Sequence, residues 1–382
     1  MTDFEALTRF RAYPPLVFAG ECDLLMNRMA RAARGEAFVL HVGDRTRTAA
    51  HMTADAIRAR FRTLLQMAAV LTYATAVPVV KIGCFDLGGP GPSGAVGGYE
   101  RSAAALNLMR ALASGGEGDL RQVHEWNREF VSRSPARERH AVLVAEIGKA
   151  LAFMRACGPD PAHLSTVEFF AAQEGLPQAY ESALTRVDSR TGHLYNTSGH
   201  FVRTGDRTPA HDGRHGEHEE YCAAIRNPLG VAVGPGTTPD GALALLDRLN
   251  PGREPGRLAF LVRMGADDLY ERLPALIEKV TAEDHKVAWI CELTTRDGSG
   301  EGAGDGAAHR PHRSHRPRHL DDLLDEVTAF FDVHRSLGVR PAGLATDLSE
   351  TRSAPLDLAF LVAELWRSAG PWARSGARAT PA

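Results

Sequence analysis

The chain has 382 residues, 44% of them hydrophobic, and 44 Lys and Arg stand against 47 Asp and Glu for a formal net charge of -3. That length and apolar content suit one large barrel or two ordinary domains with a substantial core, and the near balance of charge excludes the basic footprint of a nucleic-acid binder. The five cysteines (Cys22, Cys84, Cys157, Cys222 and Cys291) are scattered and form no C-x-x-C pair, which argues against a disulfide framework or a zinc ribbon and for a reducing cytoplasm.

The opening "MTDFEALTRF" is charged where a signal peptide would be apolar, and residues 1–35 read as an N-terminal extension. From 36 to 382 short β-rich runs alternate with amphipathic stretches. Eight strands are predicted: "EAFVLHVG" (36–43), "VPVVKIG" (77–83), "STVEFF" (165–170), "GHFVRTG" (199–205), "LGVAVGP" (229–235), "LAFLVRMG" (258–265), "KVAWICEL" (286–293) and "AGLATDL" (342–348). Most are continuously apolar, as strands covered on both faces must be. The longest greasy stretch, "LLQMAAVLTYATAVPVV", contains Gln66, Thr72 and Pro78, so it reads as a core helix entering a strand and not as a membrane span. Residues 100–157 form a helix-rich insertion after the second strand, and residues 296–319, rich in Gly, Arg and His with no apolar anchor, form a flexible loop. Eight strand–helix units, the last ending in "PLDLAFLVAELWRSAG", predict an α/β fold of the (β/α)8 barrel type.

In such barrels the chemistry sits at the carboxyl ends of the strands. The residues there are Asp44, Arg45 and Arg47; Cys84 and Asp86; Gln173 and Glu174; Asp206 and Arg207; Gly234 to Gly236; Arg263; Glu292 and Thr295; Asp347 and Glu350. Guanidinium groups converging with carboxylates suit a ligand bearing phosphate or carboxylate, although ion pairs that merely stop a barrel rim from fraying would look alike. Arg45, Arg207 and Arg263, with Asp206 and Lys81, form the candidate substrate- and phosphate-binding set; Glu174, Glu292 and Asp347 are the candidate acid or base carboxylates. The turn in "NPLGVAVGPGTTPDGA" offers backbone N–H groups to an anion. His211, His215 and His218, and His309, His312, His315 and His319, have helical ligand spacing. Catalytic zinc needs rigid, externally supported ligands, which a Gly-rich loop does not offer, so no metal site is assigned to them.

"YPPLVFAGE", "LLQMAAVLTYATAVPVVKIG", "ALNLMRAL", "ACGPDPAHLSTVEFF", "AYESALTR", "RNPLGVAVGP", "GRLAFLVRMGA" and "EVTAFFDVHRSLG" together resemble the class II (plant-type) 3-deoxy-D-arabino-heptulosonate 7-phosphate (DAHP) synthases, over nearly the whole chain. The resemblance implies a (β/α)8 barrel, oligomers, and a shikimate-pathway transferase that condenses phosphoenolpyruvate with erythrose 4-phosphate. In that chemistry a divalent metal (manganese, cobalt or zinc) polarises the aldehyde while Arg and Lys hold two phosphates. The resemblance further implies metal ligands from a cysteine after the first strand, a histidine after the seventh, a glutamate on the eighth and an aspartate beyond it. Here those positions carry Arg45, Thr295 and Asp347, and the last has no counterpart. Glu292 stands for an aspartate, Asp206 for a glutamate, Gln173 for a histidine, Cys84 for an arginine, Ala232 for a lysine and "GGPGPSG" for a Lys-Pro-Arg loop, whereas Glu174, Arg207 and Arg263 match.

Removing even one group that supports a metal ligand costs roughly 10- to 100-fold in affinity. The expectation is therefore a chain without a metal cofactor that binds a small anionic ligand, phosphorylated or carboxylated, and has given up the ordinary condensation. It would act as a homo-oligomer or in a hetero-complex with a related synthase, with no nucleic-acid or membrane partner. Two alternatives stand beside it: an enzyme of altered specificity on an anionic substrate, and an active synthase with a rebuilt metal site.

Overall fold

Burial on both faces is what makes the strand runs legible, and the computed structural model closes all eight main strands into one barrel. The structure describes residues 1–43, 53–86, 91–158, 167–174, 176–204, 215–293, 319–348 and 355–368. Helices α1 (Asp3–Ala12) and α2 (Ala19–Ala33) precede β1 (Phe38–Gly43), α3 (Ala54–Thr75) and β2 (Val79–Asp86). Three helices, α4 (Gly91–Ser114), α5 (Leu120–Arg133) and α6 (Arg137–Ala156), lead to β3 (Phe170–Glu174). Then come α7 (Gln178–Ala183), a small hairpin of β4 (Thr185–Val187) and β5 (Leu194–Asn196), β6 (Phe201–Thr204) and α8 (His215–Ala224). The chain continues through β7 (Leu229–Val233), α9 (Pro239–Leu249), β8 (Leu258–Val262), α10 (Ala266–Ala282), β9 (Ala288–Glu292), α11 (Leu320–Ser336), β10 (Gly343–Asp347) and α12 (Pro355–Ser368). Parallel pairing runs in the order β1-β10-β9-β8-β7-β6-β3-β2 and closes on itself.

Two layers of side chains follow from the period-two alternation of the strands. Phe38, Leu40 and Val42 face outward and meet Leu64, Met67 and Leu71 of α3 with Leu358, Ala359 and Val362 of α12. Val39, Ile82, Phe170, Phe201, Leu261 and Ile290 face inward. Leu25, Met29 and Ala32 of α2 join that inner layer, so this helix seals the amino end of the barrel. Gly256, at φ +83°, lets the chain run against the same helix: a Cβ there would lie 2.1 Å from the Met26 carbonyl oxygen.

The greasy stretch divides as expected into α3 and β2. Buried Gln66 within it donates to Asn127 Oδ1 at 3.1 Å, and Ala76 turns the chain out of α3 with φ 54°. Among the described residues no helix is long and apolar enough to cross a membrane.

The third strand lies later than predicted, at Phe170–Glu174 and not at 165–170. "FAAQE" has modest β preference, but pairing with β2 on one side and β6 on the other imposes the extended form. Glu168, inside the predicted run, instead makes a two-point ion pair with Arg28 of α2. The β4–β5 hairpin was not predicted, because three-residue strands are shorter than the pattern that periodicity detects. Its turn is held by Asp188, which accepts from the Gly192 N–H at 2.8 Å and the Thr191 hydroxyl at 2.9 Å.

Candidate anion site at the barrel mouth

Inward positions at the carboxyl ends of the strands carry most of the barrel's polar chemistry. On β6 the alternation that points Phe201 into the core points Arg203 into the mouth, and on β9 the alternation of Ala288 and Ile290 brings in Glu292. Arg263 follows the inward pair Ala259 and Leu261 of β8. The three meet. Arg203 Nη2 donates to Glu292 Oε1 at 2.5 Å, and Arg263 Nη2 lies 3.0 Å from Glu292 Oε2.

The electrostatics favour a fixed, ionised carboxylate. Burial by itself would raise the Glu292 pKa, but the charges and hydrogen bonds of Arg203 and Arg263 outweigh it and hold the group down to about 2. Glu292 is therefore a carboxylate at neutral pH and holds no proton to give. Two guanidinium groups gathered at the strand ends are the chemistry that recognises phosphate or carboxylate.

Asp347 ends β10, the strand next to β9, beside Gly43 of β1, and Cys84 stands on β2 beyond it. A Cβ on Gly43 would lie 3.8 Å from Asp347 Oδ2 and 3.9 Å from Cys84 Cβ, so the missing side chain leaves a small gap between carboxylate and thiol. Asp347 is buried and Cys84 half-buried.

Of the predicted residues, Arg263, Glu292 and Asp347 stand at the mouth. Glu174 ends β3 in register with Asp86; its side chain, like Arg45, Asp206 and Arg207, lies outside the described residues. So do Arg47, Thr295, Glu350 and all of the loop 296–319 but His319. Lys81 is a correction. It shares the outward face of the sheet with Leu40, donates to the Val79 carbonyl at 3.0 Å and lies by the Arg28–Glu168 pair, while burial lowers its pKa. Val80 and Ile82 hold the inward positions of that strand, so the pleat keeps Lys81 out of the mouth.

In the glycine turn after β7 several donors are taken up locally. The Gly234 N–H donates to Thr237 Oγ1 at 3.2 Å, the Thr237 N–H returns to Gly234 O at 2.9 Å, and Thr238 caps α9 through Gly241. These donors serve the turn itself. His218 lies 3.6 Å from Cys222 Sγ, and the His319 N–H caps α11 through Asp322. Among the described residues no three His, Cys, Asp or Glu side chains gather to hold a metal ion.

Arg203 is the charged residue of this cluster that reading strand ends missed, since it lies within "FVRT" and not after it. The signal was present in the alternation from Phe201: an arginine at an inward position of a barrel strand must find a buried anion.

A family model described as the Class-II DAHP synthetase family matches residues 3–86 and 88–354. A phospho-2-dehydro-3-deoxyheptonate aldolase of Streptomyces coelicolor is 45% identical over 421 aligned residues, spanning 93% of this chain and 91% of that protein. The phospho-2-dehydro-3-deoxyheptonate aldolase AroG of Mycolicibacterium smegmatis is 37% identical over 427 residues, covering 94% and 89% of the two chains. Likeness at that level over the whole length overturns the expectation of a binding homologue that has abandoned the condensation. A few altered strand-end positions weighed too much in that expectation, against a framework retained throughout.

Proposed function

Because this chain belongs to the class II DAHP synthase family, we propose that it is itself a DAHP synthase, joining phosphoenolpyruvate to erythrose 4-phosphate. The observation that carries this reading is the 45% identity to a curated phospho-2-dehydro-3-deoxyheptonate aldolase across 93% of the chain. In this reading the catalytic unit is the barrel from residue 36 onward, and the first 35 residues contribute the helix that closes its base.

Both substrates are anions, and the condensation builds negative charge on the aldehyde oxygen as the new carbon–carbon bond forms. Arg203 and Arg263 supply positive charge that is already oriented, because Glu292 holds both guanidinium groups before substrate arrives. Glu292 acts as a positioning residue, since its ionised state leaves it no proton to donate. Asp347 is the carboxylate left for proton handling at the described mouth. The family's chemistry uses a divalent metal, and among the described residues no three His, Cys, Asp or Glu side chains gather to hold one.

The test is the loss of phosphoenolpyruvate absorbance on addition of erythrose 4-phosphate, followed with added manganese, cobalt or zinc and again after chelation. Consumption that requires both substrates is expected, and chelation reports whether a metal takes part. Absence of turnover under every one of these conditions would sink the reading.

A further inference from the structure

Away from the barrel mouth, α5 and α6 enclose a second concavity of about 510 Å³. Val131 and Val144 line its apolar part, Ala145 and Gly148 keep one wall low, and His124 and Arg137 supply the polar groups. His124 is more than nine-tenths buried, and its Nδ1 is sealed from solvent with no hydrogen-bond partner. Its Nε2 faces Gly148, 3.1 Å from where a Cβ on that residue would lie. A buried N–H without an acceptor is rarer and costlier than a buried lone pair, so the proton belongs on Nε2, at the wall of the cavity. Burial, with the Arg128 charge opposing Glu125, lowers the pKa of this ring and keeps it neutral.

Arg128 at the rim is engaged by both oxygens of Glu125, at 3.0 and 2.8 Å. Arg137, in the first turn of α6, makes no ion pair or side-chain hydrogen bond among the described residues. We propose that the α5–α6 cavity binds a small apolar monocarboxylate, whose oxygens take Arg137 and the His124 Nε2–H while its hydrocarbon part covers Val131, Val144 and Gly148. Two donors match two carboxylate oxygens, and a single unpaired guanidinium matches a single negative charge. A doubly charged phosphate would stay half neutralised over apolar walls. The inference does not depend on the proposed condensation.

Benzoate and benzamide are the probes, titrated into the full chain while the His124 imidazole is followed by NMR and affinity by calorimetry. Benzoate is expected to shift the His124 resonances saturably and to bind about tenfold or more tighter than the uncharged amide. Arg137→Gln is expected to erase that preference, and Ala145→Leu, at an exposed helical position, to fill the groove and abolish binding. Should Ala145→Leu fail to fold, Arg137→Gln carries the test alone. Equal binding of benzoate and benzamide, or binding unchanged in Arg137→Gln, overturns the proposal. So does a groove that benzoate leaves untouched, including one masked by concentration-dependent self-association, which would make it an interface between copies.

Discussion

Glu292 of β9 is held by one cation from β6 and one from the end of β8, the strands on either side of β7, and its removal exposes what that arrangement contributes. In Glu292→Gln, Arg203 and Arg263 keep their charges but lose the carboxylate between them, which should cost about 3–5 kcal/mol of stability in denaturant melts. The pH dependence has a definite sign. With its folded pKa depressed to about 2 from an ordinary 4.5, Glu292 contributes stability that is complete above pH 4.5 and is lost as pH falls toward 2. The variant should show a flatter acid limb across that window. Arg263→Ala removes a preset positive group from the mouth, and kcat/KM for the condensation should fall about 10²- to 10³-fold, while a fold-only role for Arg263 would leave kcat/KM near the wild-type value. At this scale the sequence exposed Arg263, Glu292 and Asp347 because each stands at a strand end. Arg203 stayed hidden inside a strand, and Lys81 was misjudged because its facing depends on the register of the pleat.

At the scale of elements, α2 is the part whose role is least apparent from its own pattern. Its apolar stripe, Cys22, Leu25, Met26 and Met29, predicts a helix with one buried face, but not that this face plugs the barrel floor. Gly256 makes the plug possible, and Gly256→Ala should destabilise the protein by about 2 kcal/mol or more, from the left-handed backbone and the collision with Met26 and Ala30. A thermal melt of the variant checks it, and an unchanged melting temperature would show that α2 is free to shift. The insertion helices are anchored differently. Fully buried His140 of α6 lies 3.2 Å from Asp357 and 3.4 Å from Glu364 of α12 and stacks on Phe360 with ring centroids 4.7 Å apart. That contact spans more than two hundred residues, and no local pattern announces it. The third strand slipped for a similar reason: "FAAQE" becomes extended through its two neighbours, not through its own preference.

Across the whole molecule, pH acts through groups far from the mouth. His334 of α11 is buried beside Phe330 and Trp289, donates through Nδ1 to the Phe330 carbonyl at 2.8 Å, and has its pKa lowered by burial to about 4 from 6.5. Stability from this group is full above pH 6.5 and is lost as pH falls toward 4, because the unfolded chain takes up the proton first. His334→Leu should therefore flatten the stability profile between those values, above the window governed by Glu292, and urea midpoints measured from pH 7 to pH 4 would separate the two. A profile through pH 5 identical to that of the parent chain would remove His334 from this role.

The sequence alone determined the eightfold alternation, and hence the barrel, since strands covered on both faces must be apolar along their length. It also determined the family, because the matching stretches extend from Tyr13 to Gly338. Only the tertiary structure decided which charged groups share the mouth. Inward or outward facing turns on a one-residue shift of register, and ion pairs between strands distant in sequence form only once the barrel closes.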